Sequence, residues 1–259
     1  MSNFNYKKVL IIGATSGIGQ ALAERFVKEG IEVVVTGRRE DRLKEFTTKH
    51  KGSYEVFDLS KIDEIPKFAE RVTKSHPDID AVLLNSGIQR GFNFTRPETV
   101  DLKVIDEEFT VNYLSYIHLT TALLPFLLEK SSSALIYVSS TLGLVPLARC
   151  PNYCASKAAL HHFAISLRNQ LKGTNVQVLE IIPPAVQTEL HDEVHQPDLK
   201  NGRSMGMPLD EFIEETWKDL NEGNEFNEFP IGFGKVVYSS IEPIRQSQMQ
   251  RLPQTPANI

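Results

Sequence analysis

Residues 7–12 read K-K-V-L-I-I, a short β-branched run that stops at Gly13, and the chain continues G-A-T-S-G-I-G. Beyond Gly17 the apolar residues Ile18, Leu22 and Phe26 recur at helical spacing, and Gly30 stands where a helix stops. The order is strand, glycine-rich turn, helix. Glycines at 13, 17 and 19 let such a turn fold tightly, let backbone approach a pyrophosphate and let the helix start close to the strand. Taken alone, the pattern serves a structural turn as well as a nucleotide site, and the context on either side decides.

That context repeats the unit. Residues 31–36 (I-E-V-V-V-T) suit a buried parallel strand, 42–50 a helix, 53–57 a third strand, and 60–74 a helix with Pro66 in its early part. A fourth strand over 79–84 ends at Asn85-Ser86-Gly87, and 100–129 is helical in two pieces. Asn112 lies inside the second helical stretch among apolar residues. Asparagine there costs propensity, which fits a buried polar role or plain exposure. Residues 134–139 and 176–182 read as further strands around a long helix over 151–172. Residues 185–208 have no periodicity, contain Gly202 and Gly206, and are expected to form a mobile lid with nothing to hold its middle down. A helix over 209–223 and an edge strand over 226–233 follow, and the polar, proline-bearing tail from Ser240 is expected to stay without regular structure.

Strands alternating with helices at this spacing predict an α/β chain, a Rossmann-type doubly wound, mostly parallel seven-stranded sheet with helices on both faces. At 259 residues, 41% hydrophobic and 24% charged, the chain has enough apolar sequence for one large core. No repeat or linker divides it. A single domain is expected over 1–259, with 185–223 as substrate lid and 240–259 as tail.

The second strand ends in Gly37-Arg38-Arg39. In a dinucleotide fold an acid here holds a ribose 2′-hydroxyl and an arginine accommodates a 2′-phosphate, so Arg38 favours NADP over NAD. Farther on, Tyr153 and Lys157 in Y-x-x-x-K lie one helical turn apart, close enough for phenol and ammonium to share a site. A nearby cation stabilises phenolate, so the lysine is expected to lower the tyrosine pKa and fit it for proton transfer. Ser140, thirteen residues before the tyrosine, follows a strand and can polarise a substrate oxygen. Cys150 and Cys154 read as free buried thiols. His161 and His162 read as packing or solvent-facing residues, and H-D-E-V-H over 191–195 misses the zinc-helix spacing, so no metal site is expected.

Together these residues resemble the short-chain dehydrogenase/reductase family, in its single-domain branch, over nearly everything from Lys7 to about Phe233. The resemblance rests on G-A-T-S-G-I-G at Gly13 to Gly19, Asn85-Ser86-Gly87, Asn112, Ser140, Tyr153 and Lys157, in the family's order and spacing. The segment P-P-A-V-Q-T from Pro183 is also similar to a subgroup of oxidoreductases that includes one associated with teichoic-acid D-alanylation operons. The resemblance implies an NADP(H)-dependent oxidoreductase acting on a carbonyl or secondary alcohol. Tyr153 would be the general acid/base, Ser140 would orient the carbonyl, Lys157 would hold the nicotinamide ribose and Asn112 would carry a proton-relay water. It also implies a cofactor site made of Gly13, Thr15, Ser16, Gly17, Ile18, Gly19, Arg38, Asp58, Leu59, Asn85, Tyr153, Lys157, Pro183, Val186 and Thr188. Two departures stand out: L-N-S-G at Leu84 to Gly87 replaces N-N-A-G, and Pro183-Pro184 replaces proline-glycine.

A net charge of −5, with only short basic pairs, argues against a nucleic-acid surface. No uninterrupted apolar run reaches the length of a membrane span and the first residues are polar, so a cytoplasmic protein is expected, with a small-molecule substrate and a homodimeric or homotetrameric assembly. The competing reading is an NADP(H)-binding regulatory or structural protein on the same fold. The Ser-Tyr-Lys set argues against it, since a binding module has no need of all three.

Overall fold

Residues 7–12 show no polar alternation because both faces of their strand are covered: Val9, Leu10, Ile11 and Ile12 are all buried. The computed structural model describes residues 4–252. Among these, seven strands, β1 (Lys8–Ile12), β2 (Glu32–Gly37), β3 (Ser53–Val56), β4 (Ala81–Leu84), β5 (Ser133–Val138), β6 (Val176–Ile182) and β7 (Glu228–Pro230), form one sheet in the order β3-β2-β1-β4-β5-β6-β7. Every neighbouring pair is parallel. The chain winds outward from β1 through β2 to β3, then returns to the other side of β1 at β4. This reversal makes a crevice beyond the carboxyl ends of β1 and β4, where Ile12 pairs with Thr36 on one side and Leu84 on the other.

The helices are α1 (Gly17–Lys28), α2 (Glu40–Lys49), α3 (Ile65–Ser75), α4 (Leu102–Phe109), α5 (Ser115–Leu128), α6 (Pro151–Gln170), α7 (Leu209–Glu222) and α8 (Gly234–Arg251). Strand alternation divides the core. Val9 and Ile11 pack with Leu22 and Phe26 of α1 and Phe212 of α7, whereas Leu10 and Ile12 pack with Phe68 of α3, Leu119 and Leu123 of α5 and Leu160 of α6. Truncating a fully buried leucine of this kind typically costs about 2–5 kcal/mol.

Three expectations change. The two helical pieces over 100–129 are joined without a break by a π-helical turn, Thr110–Leu114, and Leu102–Leu128 is, by length and composition, long and apolar enough to cross a membrane. Its α5 portion buries Tyr116, Leu119, Leu123 and Leu127 against α3 and the sheet, which is how a core helix uses such residues. The edge strand shortens to Glu228–Pro230. The tail from Ser240 is helical as far as Arg251, despite Pro243, and its residues 253–259 lie outside the described ones.

A buried charge explains why α8 stays down. His161 on α6 is 1% exposed and its Nδ1 lies 2.9 Å from both carboxylate oxygens of Glu180 on β6. Its Nε2 lies 3.3 Å from Oε1 of Glu242, a fully buried residue of α8, and the same Oε1 is 2.8 Å from Arg245. One cationic ring therefore joins a strand, the long helix and the last helix. Periodicity registers apolar residues, so a polar tail held by one glutamate escapes it.

Burial alone would push His161 down, but Glu180 and Glu242 outweigh it and hold its pKa up at about 10. A folded-state value above the unfolded one, roughly 6.5, contributes stability fully present below that pH and lost as pH rises through the folded value. Glu242→Gln keeps the shape and removes one of the two charges. Urea unfolding should show the variant less stable by about 1–3 kcal/mol at pH 7, with the gap narrowing toward pH 10. A gap of the same size at both pH values would mean that the histidine is not charged.

Candidate functional site

The crevice is closed at its base by backbone. Asn85 and Ser86 both donate their N–H to the Ile12 carbonyl, at 3.1 and 3.0 Å, and Gly13 and Ala14 both donate to the Thr36 carbonyl. Gly13 adopts φ +90, and a Cβ there would lie 2.2 Å from the Ser86 hydroxyl. A Cβ on Gly19 would lie 2.1 Å from the Gly13 carbonyl oxygen, so helix α1 can start this close to β1 only with glycine. Asn85 donates its side-chain amide to the same Gly13 oxygen at 2.8 Å. The turn is thereby held with the N-terminus of α1 facing a cavity of about 610 Å³. Orphan N–H groups and the helix dipole make that end suited to an anion.

The cavity is one continuous cleft of a size typical for small-molecule sites, roughly 300–1,000 Å³. Its walls include Gly13, Thr15, Ser16, Gly17 and Ile18 from the turn, Arg38 and Arg39 after β2, Asp58 and Leu59 after β3, and Asn85 after β4. Ser140, Tyr153, Lys157, Pro183, Val186 and Thr188 line it farther on. Of the expected site residues only Gly19 and Asn112 are not in the wall: Gly19 lies behind the turn, and Asn112 supports the cleft from below. The long shape, the glycine turn at one end and the proton-carrying side chains at the other fit a nicotinamide dinucleotide.

Past β2 the sequence points to Arg38, and the structure adds more. Arg38 is exposed at the rim, while Arg39 folds back over the turn, donating through Nε and Nη2 to the Thr15 hydroxyl at 3.0 and 2.8 Å and through Nη2 to the Ser16 hydroxyl at 2.7 Å. Its Nη1 meets Glu189 at 2.9 Å, and Arg42 reaches both oxygens of the same carboxylate at 2.9 and 3.0 Å. Arg42 and Glu189 were not expected in the site. A charge pair separated by about 150 positions leaves no local signal.

At the other end, Ser140 follows β5 and its hydroxyl accepts the Leu142 N–H at 3.1 Å. Pro151 opens α6, and its inward face carries Tyr153, Lys157 and His161, all buried and each one turn after the last. The Lys157 ammonium donates to the Val138 carbonyl at 2.7 Å and lies 5.8 Å from the centre of the Tyr153 ring. Burial pulls Lys157 down to about 8, against an upward pull from Glu180.

The expected lowering of the tyrosine pKa is not what this geometry produces. Burial raises Tyr153 well above the ordinary value, and Cys150, Glu108 and Cys154 add to the rise, while the Ser140 hydroxyl pulls the other way. With the lysine turned toward Val138, the phenol stays protonated, the form a general acid needs. Cys150 and Cys154 are free and buried, as expected, and burial pushes the Cys150 thiol up to about 12.

Asn112 sits in the π turn, fully buried, a place where extra helix backbone commonly serves a site. Its Oδ1 accepts the Ile88 N–H and its Nδ2 donates to the Ile88 carbonyl, both at 2.9 Å, and to the Ser156 hydroxyl at 3.1 Å. One side chain thus ties the loop after β4 to α6. One turn earlier Glu108, fully buried and missed by sequence reading, accepts the Arg90 N–H at 2.7 Å and the Asn152 amide at 2.7 Å.

Residues 185–208, expected to have nothing that holds their middle down, make contacts of their own in the structure. Val186 bridges Met207, Gln187 donates to the carbonyls of Ser204 and Gly206, and Gly202 packs where a Cβ would meet the His191 oxygen at 1.9 Å. Arg203 meets Asp192, and Arg149 grips Asp198 through two bonds at 2.6 and 2.7 Å. These anchors are backbone and ionic contacts rather than a repeating apolar face, which is why lack of periodicity looked like lack of structure. Around the open end the apolar Leu142, Leu147, Met205 and Phe233 mix with Arg90 and Arg149.

Residues 7–198 match the family model described as short chain dehydrogenase. The chain is 34% identical over 221 residues to the uncharacterized oxidoreductase DltE of Bacillus subtilis, an alignment covering 84% of this chain and 85% of that protein. Among solved structures it is similar to a short-chain dehydrogenase from Sphingobium yanoikuyae in complex with NADPH, with TM-score 0.81 and 22% identity over 97% of this chain and 98% of that one. It is also similar to a short chain dehydrogenase/reductase from Burkholderia phymatum in complex with NAD, with TM-score 0.79 and 19% identity over the whole of both chains.

Asp198→Ala tests the anchor of residues 185–208. An exposed bidentate pair contributes up to about 1 kcal/mol, so losing it should raise the locally opened population about fivefold. Trypsin should then cut after Lys200 or Arg203 about fivefold faster than in the native chain, while cuts elsewhere keep their rate. An unchanged cutting rate would show that the other contacts of the segment hold it without Asp198.

Proposed function

Because the chain belongs to the short-chain dehydrogenase family, we propose that it is an oxidoreductase moving a hydride between NADP(H) and a carbonyl or secondary alcohol, with Tyr153 as general acid/base. The observation that carries this reading is the convergence of Ser140, Tyr153 and Lys157 on one end of a cleft whose other end is the glycine turn flanked by Arg38 and Arg39.

The roles follow from the side chains. When bound, the nicotinamide supplies or accepts the hydride. The Tyr153 phenol, kept protonated by burial, gives its proton to the oxygen that gains charge as a carbonyl is reduced. Ser140, whose hydroxyl faces the same space, donates a second hydrogen bond to that oxygen and holds its position. Lys157 keeps a buried ammonium on the Val138 carbonyl at the same end of the cleft, where it would hold the sugar hydroxyls of a bound cofactor. Asn112 keeps Ile88 and Ser156 in register so that both walls stay in place. Val186 and Thr188 border the nicotinamide end, and Asp58 and Leu59 the adenine end.

The preference for NADP over NAD rests on the two arginines after β2 and the absence of an acid in their place. Support from relatives is divided, since one structural neighbour was solved with NADPH and another with NAD. The Ser-Tyr-Lys convergence favours an enzyme over a nucleotide-binding regulator on the same fold.

Tyr153→Phe removes only the transferable proton. Turnover in a panel of carbonyl compounds followed by NADPH absorbance should fall about 10²–10⁴-fold, with NADPH affinity nearly unchanged. Near-normal turnover would show that another group supplies the proton. For the cofactor, charge-assisted bonds to a phosphate at roughly 1.5–3 kcal/mol predict that NADPH binds about tenfold or more tighter than NADH. The double variant Arg38→Ala/Arg39→Ala should lose most of that difference, and equal dissociation constants in the native protein would refute the preference.

A further inference from the structure

Glu189 follows Thr188, whose methyl would be 3.3 Å from a Cβ on Gly17, so the first residue of the short turn Glu189–His191 is held against the glycine-rich turn. Its carboxylate lines the cleft at the end occupied by Arg38 and Arg39. Burial would raise its pKa, but bonds from Arg39 and Arg42 outweigh that and hold it below the usual carboxylate range. An anion already sits among the arginines.

The donors of Arg39 show what a second anion would meet. Nε and Nη2 are taken by Thr15 and Ser16, and Nη1 by Glu189. These bonds use four of the five guanidinium N–H groups and leave one on Nη1, so a 2′-phosphate that forks onto two adjacent donors of Arg39 must displace one of these acceptors. The hydroxyls of Thr15 and Ser16 are neutral and can rotate to donate to a phosphate. Ionised Glu189 has no proton to donate, and its charge repels the newcomer. It is therefore the partner that gives way.

We propose that Glu189 is a specificity-determining residue of the cofactor site: an internal anion that occupies the Arg39 and Arg42 pair and competes with the 2′-phosphate of NADP(H). A cofactor without that phosphate leaves the Arg39–Glu189–Arg42 cluster intact. NADPH pays for displacing it, so the discrimination between the two cofactors is smaller than the arginines alone would set. The inference rests on the NADP reading above, and it adds a residue that works against that preference.

The test uses the full chain and its Glu189→Gln variant, with Glu189→Ala as a second. Dissociation constants are measured by fluorescence for NADPH and NADH, and by calorimetry for adenosine 2′,5′-bisphosphate and 5′-AMP, two fragments that lack the nicotinamide. Removing one like charge from a partly solvated site should tighten NADPH and the bisphosphate by about five- to tenfold and leave NADH and 5′-AMP within about twofold. The gain should shrink as salt is raised. Unchanged or weaker binding of both 2′-phosphorylated ligands in the two variants would overturn the inference and make Glu189 a support of the site. A native protein that does not favour NADPH would instead sink the cofactor reading, and the inference would then stand or fall on whether the variants acquire a preference.

Discussion

The carbonyl of Ile12 receives two N–H groups, from Asn85 and Ser86, at the point where the sheet reverses direction. Most of the site depends on that junction. It brings the turn after β1 and the strand end after β4 so close that Gly13 has no room for a side chain beside Ser86. The same closeness starts α1 at the edge of the cleft, with its unpaired N–H groups facing inward. Shift the pairing by one residue and every buried side chain of β1 changes face, so the hydrophobic core and the glycine-rich turn are held by one register.

The opposite end of the cleft depends on polar groups placed where water cannot reach. Lys157, Asn112, Glu108, Glu180 and His161 are all buried, and each has a partner on a different element. Unpaired, any of them would cost free energy, so the network is costly to rearrange and keeps α6, the π turn and β6 in one arrangement. For the proposed reaction, that rigidity would keep a proton donor within hydrogen-bonding reach of the reacting group. The protonated phenol and a lysine with its pKa near neutrality are consequences of the same burial.

The rim is built differently. Arg39, Arg42 and Glu189 are half exposed, as is the Arg149–Asp198 pair over the substrate end. Such contacts are weaker and sensitive to salt, which would suit the boundary of a cleft for the proposed dinucleotide. A rigid floor and an exchangeable rim give the cleft both alignment and access.

By itself the sequence determined the parallel α/β sheet, the glycine turn, and the helical alignment of Tyr153 with Lys157. These rest on local rules: runs without polar alternation for strands covered on both faces, the 3.6-residue period for helices, and glycine where backbone must come close. Most cleft residues came from the family resemblance, and the structure brings them together because strand ends in a doubly wound sheet lie on one edge. Tertiary structure alone decided which arginine folds over the turn, that Glu189 meets it, that residues 185–208 are anchored through Asp192 and Asp198, and that a polar tail forms α8 around Glu242. It also reversed the expected direction of the Tyr153 pKa, since one turn of helix sets the separation of phenol and ammonium, but burial and the Val138 carbonyl set where the charge points. Charge partners separated by tens of residues or more leave no period in the chain, and their pairing exists only once the sheet has brought them together.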